Sequence, residues 1–121
     1  MVVKQFDLAK MRLVTSSVET AVVLPEPAPE DISLEGIFQA LGDPVRLEIV
    51  RKLHAFGTAK PCGTLDLPVG KSTARHHYKV LREAGLIRQR LEGRTRLSEL
   101  RLADVKERFP GLLKSVLAAD R

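Results

Sequence analysis

At Gly85 the hydrophobic period of this chain changes, and that change restricts the fold more than any other feature. Before it, "KSTARHHYKVLREA" (Lys71 to Ala84) sets Ala74, His77, Leu81 and Ala84 at the three- and four-residue spacing of one helical stripe. A helix of that length spans about 21 Å. After it, "LIRQRLEGRTRLSEL" alternates apolar and polar residues around Glu92-Gly93, which predicts a β-hairpin. Ile87, Gln89 and Leu91 then share one face, and Arg88 and Arg90 the other. A loop of Glu92-Gly93-Arg94 pairs Leu91 with Thr95 and Arg90 with Arg96. It keeps Leu97 inside and the arginines outside, with Arg94 at the tip.

Two further helices precede this unit. Leu34, Ile37, Phe38 and Leu41 are helically spaced, and Gly42 ends their helix. Asp43 is the expected cap of the next helix, with Pro44 at its first position. Val45, Ile49, Val50 and Leu53 form its buried stripe, and Gly57 stops it. In "TAKPCGTLDLPVG" only "TLDL" suits a helical turn. "LADVKERFPGLLKSVLAADR" predicts a short helix, a break at Pro110 and a last helix over 111–119. Residues 1–31 read as an arm and proline-rich linker, either unstructured or packed on a partner subunit. "MRLVTSSVETAVVL" within it suits one or two short strands. The domain is expected over 32–121.

"PVGKSTAR" ends like a nucleotide-binding phosphate loop, but such a loop needs an earlier glycine at a fixed spacing. That position is Leu65, and the nearest glycine, Gly63, lies two residues too early. No buried strand precedes it, and the chain has no room for a parallel sheet. The phosphates it suits are those of a nucleic acid. The formal net charge is +5, and residues 71–101 carry 9 basic against 3 acidic residues, so the excess is local. No apolar run approaches the roughly 20 residues of a membrane span, and no signal-peptide core is present, so a cytoplasmic protein is expected.

The combination of "LGDPVRLEIV", "KSTARHHYKVLREAGLI" and "LEGRTRLSELR" resembles the ArsR-type bacterial transcriptional regulators, over about residues 34–119. The resemblance implies a mainly α winged helix-turn-helix with a small β-hairpin wing. It also implies a homodimer through the N- and C-terminal helices, and a sequence-specific repressor. Helix 71–84 then reads the major groove and wing 87–100 flanks it. Arg75 is the expected base reader, since its fork bonds guanine O6 and N7 together. Lys71, Ser72, Thr73 and Lys79 suit phosphates, and His76 faces either DNA or water. Arg88, Arg90 and Arg96 are expected on the backbone and Arg94 in the minor groove. Ile37, Phe38 and Leu41 should meet Leu113, Val116 and Leu117 at the dimer seam. His77 reads as a hydrogen-bonded core residue, Tyr78 as packed with its hydroxyl at an edge, and Arg82 with Glu83 as a solvated pair.

Many relatives of that type sense metals through paired cysteines or a histidine-bearing last helix. This chain departs from both patterns, with Cys62 alone and no histidine after His77, so no metal or cofactor is expected. Lys60 beside Cys62 would favour a thiolate. The rival reading is a winged-helix module that binds a protein partner. An enzyme is not expected, because the His76-His77 pair has no nucleophile or carboxylate at a catalytic spacing.

Overall fold

The computed structural model describes residues 21–119. Helix α1 (Leu34–Leu41) starts at Ser33, whose hydroxyl accepts the Gly36 N–H at 3.0 Å. Asp43 caps α2 (Pro44–Phe56), its Oδ1 accepting the N–H groups of Val45 at 2.8 Å and Arg46 at 3.1 Å. Gly57, at φ 73°, ends α2 in the left-handed conformation that glycine adopts without steric cost. Ile49, Val50 and Leu53 turn inward as the pattern requires. Burying each such side chain stabilises the fold by about 1.5–3 kcal/mol.

The connection to the next helix differs from expectation. A two-residue strand, β2 (Lys60–Pro61), leads into one 3-10 turn, Cys62–Thr64, and "TLDL" makes no helical turn. Thr64 closes the turn early by donating its hydroxyl to the Pro61 carbonyl at 2.7 Å, and Leu65 then drops into the core. Pro68 and Gly70 oppose any helical continuation. Helix α3 (Lys71–Glu83) follows, with Gly85 at φ 86° behind it. A Cβ on Gly85 would fall 2.5 Å from Ile32 Cγ1, so both the backbone angle and the packing require glycine.

Strands β3 (Ile87–Glu92) and β4 (Thr95–Leu100) form the hairpin. Its register is shifted from the predicted one. Glu92 faces Thr95, Leu91 faces Arg96, Arg90 faces Leu97 and Gln89 faces Ser98, so the loop is Gly93-Arg94 alone. The shift turns Leu97 away from the buried face and Arg96 toward it. The predicted register assumed that apolar residues alone face inward. Instead the Gln89 amide donates to Ser98 Oγ at 3.0 Å, and both residues are fully buried. Two polar groups that satisfy each other are tolerated in the core.

β1 (Ala21–Val23) pairs antiparallel with β3, giving the sheet order β1-β3-β4-β2. The proline-rich segment after it is docked on the domain and ends in a 3-10 turn, Pro29–Asp31. Leu24 N–H donates to the Gln89 carbonyl, Glu26 binds Arg88, and Arg101 donates to the Pro27 carbonyl at 2.8 Å. The earlier part of the expected strand region, residues 1–20, lies outside the described residues. Helices α4 (Leu102–Arg108) and α5 (Leu112–Ala118) close the domain, with Gly111 at φ 85° between them. Five helices and a small antiparallel sheet make up the described residues, an architecture consistent with a winged helix.

The core runs through Ile37, Ile49, Val50, Leu81, Leu86, Ile87 and Val105, with Leu113 completing it. Ile37 and Leu113, both expected at a dimer seam, are thus buried within their own protomer. Leu41, Val116 and Leu117 are half-buried, while Phe38 is 54% exposed and Leu34 40%.

Candidate nucleic-acid interface

α3 is anchored from beneath by three side chains. Leu81 enters the core, Tyr78 donates its hydroxyl to the Cys62 carbonyl at 3.3 Å, and His77 meets α2. His77 Nδ1 lies 3.1 Å from Arg46 Nη1 and 4.0 Å from Asp43 Oδ1. Burial disfavours the Asp43 carboxylate. The Arg46 and Val45 N–H groups outweigh it, with His77 and Arg46 adding, and hold its pKa below the usual value. Burial pushes the Tyr78 phenol well above its ordinary range, and the nearby Cys62 adds to the effect. The histidine and tyrosine readings both hold: each is a packed, hydrogen-bonded support.

The outer side of α3 is polar and accessible. Lys71, Ser72, Thr73, Arg75, His76 and Lys79 are all exposed. Gly70 occupies the cap position with no side-chain hydrogen bond, and no acidic residue lies in the first turn. The first-turn N–H groups therefore point outward with positive dipole character, which favours a phosphate.

Between α3 and the hairpin runs a groove of about 570 Å³. Lys71, Arg75, Lys79 and Arg82 line one wall, and Arg94 and Arg96 the other, over a floor that includes Cys62, Tyr78 and Gln89. No carboxylate among the described residues lines it. Six cations facing one concavity repel one another unless a polyanion fills it.

The structure thus gathers five of the expected residues, Lys71, Arg75, Lys79, Arg94 and Arg96. Ser72, Thr73 and His76 stay exposed on α3 beside the groove, with the His76 ring centroid 5.7 Å from that of His77. Arg88 and Arg90 do not join them. Arg88 forks onto Glu26, with Nη2 to Oε2 at 2.8 Å, and has Asp104 at 3.7 Å. The hydrogen bond to Glu26 raises its pKa against the cost of burial, with the Glu26, Asp104 and Glu99 charges adding. Arg90 Nε donates to Glu92 Oε2 at 2.8 Å.

Arg82 is the residue the sequence reading missed. It does not pair with Glu83. It donates to Gln89 Oε1 at 2.7 Å and to the Pro25 carbonyl at 3.1 Å, while Glu83 lies 3.7 Å from Lys79. The signal was present, because Lys71, Arg75, Lys79 and Arg82 step by four, four and three along one helical stripe. Lys60 sits over the Phe56 ring at 5.0 Å, its cationic end held against an aromatic face.

No protein-family model matches the chain. Over 82 residues it is 39% identical to YceK of Bacillus subtilis (strain 168), an uncharacterized HTH-type transcriptional regulator, spanning 66% of this chain and 82% of that protein. Over 58 residues it is 40% identical to MJ1325 of Methanocaldococcus jannaschii, also an uncharacterized HTH-type transcriptional regulator, spanning 47% of this chain and 65% of that protein.

Proposed function

Because the chain belongs to the HTH-type transcriptional regulators, we propose that its cationic groove holds one sugar-phosphate strand of an operator duplex. α3 enters the major groove on one side of that strand, and the hairpin tip reaches the adjacent minor groove on the other. The observation that carries this reading is the groove itself, with six cations, no carboxylate among the described residues and an uncapped helix start at one end. Arg75 reads base edges, and Lys71, Lys79, Arg82 and Arg96 hold phosphates. Ser72 and Thr73 hold phosphate beside the helix start. Arg94, beside Gly93 in the two-residue loop, enters the minor groove.

Within this class the chain is of the ArsR type and acts as a homodimeric repressor. Exposed Phe38 and Leu34 on α1, with half-buried Val116 on α5, supply the seam. A two-fold dimer reads a pseudo-palindrome with half-sites about 34 Å apart, or a multiple of that. Selection from a randomised duplex library tests the reading. An enriched palindrome is expected. Binding with no enriched sequence would reduce the groove to a generic polyanion surface.

A further inference from the structure

A second cavity, of about 600 Å³, lies on another part of the molecule and shares no residue with the cationic groove. It opens between the outer side of α2 and the α4–α5 pair. Its apolar surface includes Leu102, Phe109 and Leu117. Leu102 is 42% exposed, although its side chain faces this concavity rather than the core. Around the apolar surface stand Arg51, Lys106 and Lys114, one cation from each of the three helices. His54 completes the polar side, and no carboxylate among the described residues lines the cavity. A smaller recess of about 110 Å³ shares the His54 and Leu102 walls and carries Glu99. Arg51 Nη2 donates to the Ala119 carbonyl at 3.2 Å, which ties the end of α5 to α2 and sets the cavity's width there.

Two facts decide what this concavity takes. Its volume lies within the roughly 300–1,000 Å³ of small-molecule sites, which are mostly apolar with a few convergent polar groups. Its charged groups among the described residues, Arg51, Lys106 and Lys114, are of one sign, and long Lys and Arg side chains can lie along apolar surface while their charged ends meet an anion. We propose that this cavity is a binding site for a small organic carboxylate: an apolar body on Leu102, Phe109 and Leu117, and an anionic head between Arg51, Lys106 and Lys114. The site stands apart from the DNA reading. α2 nevertheless links the two, since Asp43 at its cap and Arg46 in its first turn contact His77 of α3.

The test is a nuclear magnetic resonance titration of the full chain without DNA, using sodium octanoate as probe and octanol and octylamine as controls. Saturable shifts at Leu102, Phe109, Lys114 and Leu117 are expected. Octanoate should bind about tenfold or more tighter than either control, as one desolvated charge-assisted contact supplies. Lys106→Gln with Lys114→Gln should remove that preference, leaving octanol binding and the melting temperature unchanged. Three results would overturn the proposal: equal affinity for octanoate and octanol, shifts centred on Arg75 and Arg96 in the other groove, or no saturation. The last includes the case in which a second copy of the chain covers this face. None of these readouts depends on operator binding, so failure here and failure of the regulator reading are separable.

Discussion

Asp43 shows how one residue serves both fold and function. Its carboxylate caps α2 and also lies beside His77, so the cap helps to set the seat of α3. Asp43→Ala should cost about 0.5–2 kcal/mol of stability, the usual range for a lost cap, in urea unfolding at neutral pH. The pH dependence has a definite sign. The folded pKa is depressed, so this stabilisation is present in full above the unfolded value of about 3.9 and disappears as pH falls through the folded value. The wild-type and Asp43→Ala curves should run parallel at mildly acidic and neutral pH and converge only in strong acid. Convergence already at mildly acidic pH would mean that a group other than Asp43 sets the difference. Arg75 makes the complementary case, exposed on α3 and lining the groove without an ion-pair partner among the described residues. Arg75→Ala should weaken cognate binding by about 1–3 kcal/mol and relax preference at one base pair. An unchanged preference across single-mismatch duplexes would remove Arg75 as the base reader.

At the scale of elements, the helices were legible because their signals are local. Gly42, Asp43-Pro44 and Gly57 mark ends whose physics needs no tertiary partner. The hairpin's existence was equally plain, but its register was not. Alternation shows which residues share a face within a strand. Pairing between strands depends on what the buried face accepts, and here it accepts a Gln89–Ser98 hydrogen bond that no hydrophobic pattern reveals. The same blindness applied to the arm, because Glu26 finds Arg88 sixty-two residues away. The true register carries a functional consequence. Arg96 shares a face with Gln89 and Ser98 and lines the groove, whereas Arg90 shares the opposite face with Arg88. Arg96→Ala should lower the salt dependence of operator binding by about one phosphate contact, and Arg90→Ala should leave it unchanged. Equal effects would contradict the orientation of the wing. The arm makes its own prediction. Glu26→Gln removes the charge that holds Arg88 and lies 3.9 Å from Arg101, at a cost of about 1 kcal/mol after discount for partial exposure. Hydrogen exchange at Leu24, whose N–H bonds the Gln89 carbonyl, should quicken, while exchange in α2 stays as it was.

The described residues are asymmetric in charge and in apolar cover, and under the proposed function the two asymmetries answer to different partners. Residues 61–121 carry the basic excess and form both walls of the groove, whereas the first sixty residues are close to neutral. Exposed large apolar side chains occur on several elements, Val22 and Val23 on β1, Phe56 on α2 and Leu102 on α4, and on α1 Phe38 and Leu34 stay exposed although their helix packs its other side into the core. A monomer offering one groove would hold a handful of phosphates. Two grooves fixed by a shared seam double the count, and the slope of log affinity against log salt reports it directly, at about 0.9 per neutralised phosphate on duplex DNA. Phe38→Glu places a charge in that seam without entering the protomer core. Sedimentation should then show a monomer with an unchanged melting transition, and the salt slope on the palindromic duplex should fall to about half. A variant that stays dimeric would move the seam away from α1. A monomer that keeps the full slope would show that a single groove accounts for every contact, and the two-fold operator would lose its structural basis.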